Sequence, residues 1–232
     1  PTAVLYAQPD ARPRGEVAAL ALNAPEGGFQ LASTPFWIEP GDDVRVCEVV
    51  VLPGTAADTY YVPRIEAMLS AQGAELIVYA ARPGSDTEAV MDPGARMTCT
   101  RAGETFGEEL TEVVSTQNRY IDERFPETTG KVFHGGQKLA VEVHYVNESS
   151  EQRLARAKVA FHRSDASRVQ RTMRSANFAN FTIYTPPGGH STHVGECVVR
   201  EEMLVTELVR RTQRYGTGFR VWFVGGARDG EL

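Results

Sequence analysis

A chain of 232 residues, 42% hydrophobic and 23% charged, has the make-up of a folded protein with room for one large domain or two ordinary ones. Its 24 basic and 30 acidic residues leave a net charge of -6, which offers no basic field to a phosphate backbone, so nucleic acid is not an expected partner. No apolar run approaches the roughly 20 residues that a transmembrane helix needs, and the opening "PTAVLYAQPDARPRG" lacks a charged-then-apolar signal pattern.

Residues 1–30, rich in Ala, Pro and Gly, read as an irregular lead-in or an edge strand. "FWIEPGDDVRVCEVVVLPG" then gives two apolar runs separated by a Pro-Gly-Asp-Asp turn, and "AELIVYAARPG" is a short run closed by Pro-Gly. Residues 107–124, "GEELTEVVSTQNRYIDER", are the one segment that argues for helix, because Leu110, Val113, Val114 and Ile121 roughly follow a helical period. "KVFHGGQKLAVEVHYVNESS" predicts a hairpin-like pair about Gly135-Gly136. Polar residues 148–156, "ESSEQRLAR", are the best linker candidate, which sets a first domain at 31–156 and a second at 157–232. In that second part "FTIYTPPGGHSTHVGECVV" reads as strand, turn and strand, and "GTGFRVWFVGGARDGEL" as a strand followed by a turn. The expected class is all-β.

Several polar residues are candidates for chemistry. His144 stands alone in the alternating strand "LAVEVHYVN", where a histidine is either a packed side chain or a metal ligand. His190 and His193 have a His-x-x-His spacing after a Pro-Pro-Gly turn, although alternation in a strand would point them to opposite faces. His134 and His162 are isolated, and Glu108, Glu109 and Glu112 read as a solvated helix face rather than an acid/base pair. Asn147-Glu148-Ser149 and Asn180-Phe181-Thr182 match the glycosylation acceptor pattern. Cys47, Cys99 and Cys197 are too few for a disulfide scaffold and lack a CxxC spacing for zinc, so they form at most one internal disulfide. No phosphate loop, nucleophile elbow or Ser/His/Asp set is present, and 21 arginines against 3 lysines suit a GC-rich bacterial source.

"CEVVVLPGTAADTYYVPRIEAMLSAQGAELIVYAA", "HGGQKLAVEVHYVN", "PPGGHSTHVGECVV" and "RTQRYGTGFRVW", in that order, resemble the copper type II, ascorbate-dependent monooxygenases. This is the family of peptidylglycine alpha-hydroxylating and dopamine beta-monooxygenases, and the likeness spans about residues 36–232. It implies two jelly-roll β-sandwich domains, the second truncated here, with a copper in each. One copper of the family takes a His-His pair and a third histidine, positions that fall on Ala74, Glu75 and His144 in this sequence. The second takes a His-x-His pair, which falls on Arg211 and Gln213, and a methionine beyond it for which no counterpart follows. Imidazole and thioether suit a metal that cycles between Cu(I) and Cu(II), whereas guanidinium carries a fixed charge and no lone pair.

His144 is thus the only retained ligand position, and no cofactor is expected, copper being the candidate if there is one. The sequence predicts a non-catalytic binding or assembly protein on a copper monooxygenase-like fold. The alternatives are a copper-dependent monooxygenase with one altered copper at His144, and a fragment whose activity lies beyond residue 232. The resemblance also implies a Cys47–Cys99 disulfide and a partner for Cys197 outside this sequence. Strand cysteines that pair imply an extracytoplasmic protein, periplasmic or secreted. The second domain is expected to be completed by another chain or a missing segment, with "FRVWFV" at the junction.

Overall fold

β-branched and aromatic residues alternating with small and polar ones put most of the chain into strands, and the fold is all-β. The computed structural model describes residues 4–5, 20–175, 183–200, 204–206 and 216–231. Strands β1 (Val4–Leu5), β2 (Phe29–Ala32) and β3 (Phe36–Ile38) are short, whereas β4 (Asp43–Val51), β5 (Thr59–Leu69) and β6 (Gly73–Ala81) are long. A helical turn α1 (Asp86–Val90), β7 (Arg96–Thr98) and a second turn α2 (Ala102–Phe106) come next. They are followed by β8 (Leu110–Thr116), β9 (Tyr120–Arg124), β10 (Thr129–His134) and β11 (Lys138–Val146). Short β12 (Arg153–Ala155), long β13 (Ala157–Ser164) and short β14 (Arg171–Thr172) complete the set.

Two sheets carry the architecture. The larger runs β1-β2-β13-β5-β10-β14 with β9 also paired to β5, the smaller runs β7-β4-β11-β6-β8, and β3 and β12 form a separate ribbon. Pairing is antiparallel except for β1 with β2 and β10 with β14. The main core takes Leu31, Val62, Ile65 and Phe161 from the larger sheet and Val46, Leu76, Val141 and Tyr145 from the smaller, so the two pack as a β-sandwich. Pro63 has no N–H to give a ladder, and it falls where the neighbour of β5 changes from β10 to β9.

A second apolar cluster lies on the other face of the smaller sheet. Residues 82–109, which carry α1, β7 and α2, fold back so that Met91, Ala102 and Phe106 pack on Cys47, Val49, Ala81 and Ala140. This cap is tied down by the disulfide Cys47–Cys99, whose Cα atoms are 5.8 Å apart, as the resemblance implied. Cys197 is exposed and not in a disulfide.

The readings of two segments are corrected here. The segment predicted as helix, 107–124, forms β8 and β9, because a bulge opposite Val78 and Tyr79 turns the consecutive Val113 and Val114 into the core and so imitates a helical period. Strands β10 and β11 are not a hairpin: β10 pairs with β5 and β11 with β4 and β6, so the chain changes sheets at Gly135-Gly136. A Cβ on Gly135 would sit 2.4 Å from the Thr55 carbonyl oxygen, and Gly136 has φ of +75°, which explains the glycine pair. Residue 157, where the second domain was expected to begin, is the first of β13, which lies between β2 and β5 in the larger sheet.

Pro1–Ser191 and Thr192–Leu232 are two compact units, and every strand above belongs to the first. Among the described residues of the second unit there is a 3-10 turn at Gly226–Arg228 but no strand. "FRVWFV", residues 219–224, is therefore not a strand there, and Phe219, Val221, Trp222 and Phe223 are exposed. The turn expected in "TPPGG" is present, with the Gly189 N–H donating to the Pro186 carbonyl at 3.0 Å. The strand expected after it is absent from residues 191–200.

Candidate functional site

Pairing of β4, β11 and β6 sets Arg45, His144 and Glu75 side by side, with Glu142 opposite Cys47 and Ile77 in the neighbouring register. All four residues lie on the face away from the sandwich core, since Val46, Val143 and Leu76 fill that core. Arg45 sits in the middle. Its Nη1 donates to Glu75 Oε2 at 2.9 Å and to Glu142 Oε1, and its Nη2 lies 3.4 Å from His144 Nδ1. Around it, Gln117 Nε2 donates to Glu75 Oε1 at 3.3 Å and the Ala102 N–H to Glu142 Oε2 at 2.8 Å. Asp43 Oδ1 lies 2.6 Å from His144 Nε2 at the solvent side.

The cap makes this cluster unusual. The Glu142 side chain is 0% exposed, Glu75 6% and Arg45 14%, a degree of burial that ionised groups tolerate only when paired. Burial by itself would lower the Arg45 pKa; the hydrogen bond to Glu75 and the charges of Glu142 and Glu75 outweigh it and raise the guanidinium above its ordinary value. Copper does not fit here. Ala74 has no donor atom, the guanidinium stands between Glu75 and His144 with a fixed positive charge, and no three metal-binding side chains converge among the described residues.

His162, expected to be isolated, belongs to a second polar network on the outer face of the larger sheet. Its Nε2 lies 2.6 Å from Glu66 Oε2, and the Tyr120 hydroxyl donates to Glu66 Oε1 at 2.5 Å. Arg64 makes a two-pronged pair with Asp122 at 2.6 and 3.0 Å, and Arg124 reaches the same carboxylate at 2.9 Å. The hydrogen bond from Arg64, helped by Arg124, lowers Asp122 to about 2. Burial pushes the Glu66 carboxyl up, but Tyr120, His162 and Arg64 together bring it below its ordinary value; the Tyr120 hydroxyl rises through its bond to Glu66.

The remaining candidates scatter. His190 and His193 are exposed and lie outside any strand, and the His134 backbone pairs with Gln137 at a turn. Glu109 pairs with exposed Arg82, and Glu112 accepts from the Ser115 hydroxyl. Asn147 is fully buried, with Nδ2 donating to the Ile38 and Glu151 carbonyls at 3.1 and 2.9 Å, which closes that acceptor site to a glycan. Asn180, Arg211 and Gln213 lie outside the described residues.

Arg45, Glu142, Asp43 and Gln117 were not among the sequence candidates. Alternation places Glu142 on the face of His144 and Arg45 on that of Cys47, which is a usable signal within each strand. It does not reveal that β4 and β6 flank β11. No protein-family model matches the chain, and no curated protein matches it significantly.

Proposed function

We propose that the chain is a non-catalytic binding or assembly protein built on a copper monooxygenase-like sandwich that has lost its copper sites. One observation carries this reading: Arg45 lies between Glu75 and His144, two of the positions where the resemblance calls for ligands. A metal there would have to displace an ion-paired guanidinium from beneath the cap, and would find one imidazole in place of three. The expected partner is another protein chain, and the exposed side chains of Phe219, Val221, Trp222 and Phe223 support a contact there. An extracytoplasmic location, periplasmic or secreted, is supported by the Cys47–Cys99 disulfide. The test is the metal content of protein purified under copper-replete conditions. Far less than one copper per chain is the expected result; stoichiometric copper lost on replacing His144 would overturn the reading in favour of a monooxygenase with a single altered site.

A further inference from the structure

Charge is unevenly distributed along this acidic chain. Residues 153–174 contain Arg153, Arg156, Lys158, Arg163, Arg168, Arg171 and Arg174 against Asp165 alone, a balance of +6, so the rest of the chain carries -12 of the total of -6. Three of these cations are occupied: Arg153 pairs with Glu151, Lys158 donates to the Leu20 and Leu22 carbonyls, and Arg156 has partners of its own. Arg163, Arg168, Arg171 and Arg174 are exposed, and none pairs with a carboxylate among the described residues.

These arginines are mounted on a fixed support. After β13 the loop is held by the Gln170 and Arg171 N–H groups on the Thr128 carbonyl at 2.8 and 3.1 Å, and by the Met173 N–H on that of Gly130 at 2.8 Å. Val169 is buried and abuts Gly130. The Arg163 guanidinium stacks 4.5 Å from the centre of the Tyr60 ring, a contact that orients the group while leaving its N–H edges free. Arg163 and Arg168 line one open hollow of about 440 Å³ together with Gly27, Ser164 and Asp165. Asp58 lies within the field of Arg163, but its carboxylate is already held by the Thr55 N–H and hydroxyl.

We propose that this hollow binds a small oxyanion, a phosphate or sulfate ester, clamped by the Arg163 and Arg168 guanidinium groups. Planar guanidinium groups match such oxygens in two-pronged fashion, and Arg163 and Arg168 line the same open hollow. Asp165 opposes the ligand electrostatically and sets the affinity low. The proposal is independent of the copper resemblance.

Titration calorimetry of the whole chain with inorganic pyrophosphate, and separately with inorganic sulfate, tests it. One saturable site that weakens as salt rises is expected. The pair Arg163→Ala and Arg168→Ala should lower affinity at least about tenfold, Asp165→Asn should raise it about threefold, and Arg82→Ala, a distant exposed arginine, should leave it unchanged. All these side chains are exposed, and near-ultraviolet circular dichroism confirms that each variant keeps its fold. Absence of saturable binding, or equal binding by the double variant, would overturn the proposal. So would retention only on vesicles containing anionic phospholipid, with no response to soluble pyrophosphate or sulfate, which would make the loop a membrane-surface contact instead.

Discussion

The two outer faces of the sandwich carry networks of similar composition in opposite surroundings. On the smaller sheet Arg45, Glu75 and Glu142 are buried beside the disulfide-tied cap, with His144 at the solvent side; on the larger, Arg64, Glu66, Asp122, Tyr120 and His162 are partly open to solvent. Each has an arginine shared between two carboxylates and a histidine at the margin. Only solvent separates them energetically. Under the cap, loss of one charge strands another in a poorly solvated place; on the open face, water and salt replace whatever is lost. The buried network is therefore sensitive to the loss of any one partner, whereas the open one is a modest addition to the fold.

Removing Arg45 should break the comparison most strongly. Arg45→Met leaves Glu142 and Glu75 without their cation, and breaking a buried pair costs roughly 3–5 kcal/mol. Arg64→Met on the open face should cost about 1 kcal/mol or less. Urea unfolding of the two variants measures the difference directly, and equal losses would show that the cap does not isolate its cluster. Replacing both Arg45 and Glu142 by apolar residues should recover part of the loss, because the fully buried carboxylate is then gone and only Glu75, which keeps the hydrogen bond from Gln117, remains without its cation.

Opening the cap comes next. The disulfide closes a loop with a sequence separation of 52, and its removal should cost about 3–4 kcal/mol through the greater freedom of the unfolded chain. Cys47→Ala with Cys99→Ala, followed by hydrogen exchange, should show the Ala102 amide losing protection before the amides of β13, since that amide is bound to Glu142 within the cap region. Simultaneous loss in both places would mean that the cap and sandwich unfold as one.

Much of this was legible in the residues. Strands β4, β6 and β11 announce themselves by their β-branched apolar runs, whereas β13 was not read as a strand, and the Cys47–Cys99 pairing followed from the likeness to a known family. What was missed has a physical cause in each case. The bulge in β8 made Val113 and Val114 look helical, and a glycine pair that changes sheets looked like a hairpin turn. His144 was singled out by type, yet its partners Arg45 and Glu75 come from strands about 100 and 70 positions away, and strand order is not a local property of sequence. The basic loop was overlooked because a net charge of -6 averages away a local excess of +6.

The smallest effect expected is on the open face, where acid separates the networks. Asp122 is held at about 2 in the fold against an ordinary 3.8, chiefly by the hydrogen bond from Arg64. A carboxylate whose folded pKa is depressed contributes stability that is fully present above its unfolded value and disappears as the pH falls through its folded one. The window is therefore between about pH 4 and pH 2. Because Asp122 and Arg124 face solvent, screening should reduce the contribution to about 1 kcal/mol or less. Asp122→Asn should accordingly be slightly less stable than the parent at pH 7, and the gap should close as the pH approaches 2. A gap that persists at pH 2 would assign the loss to side-chain packing on β9 rather than to the charge, and would remove the electrostatic half of the contrast between the two faces.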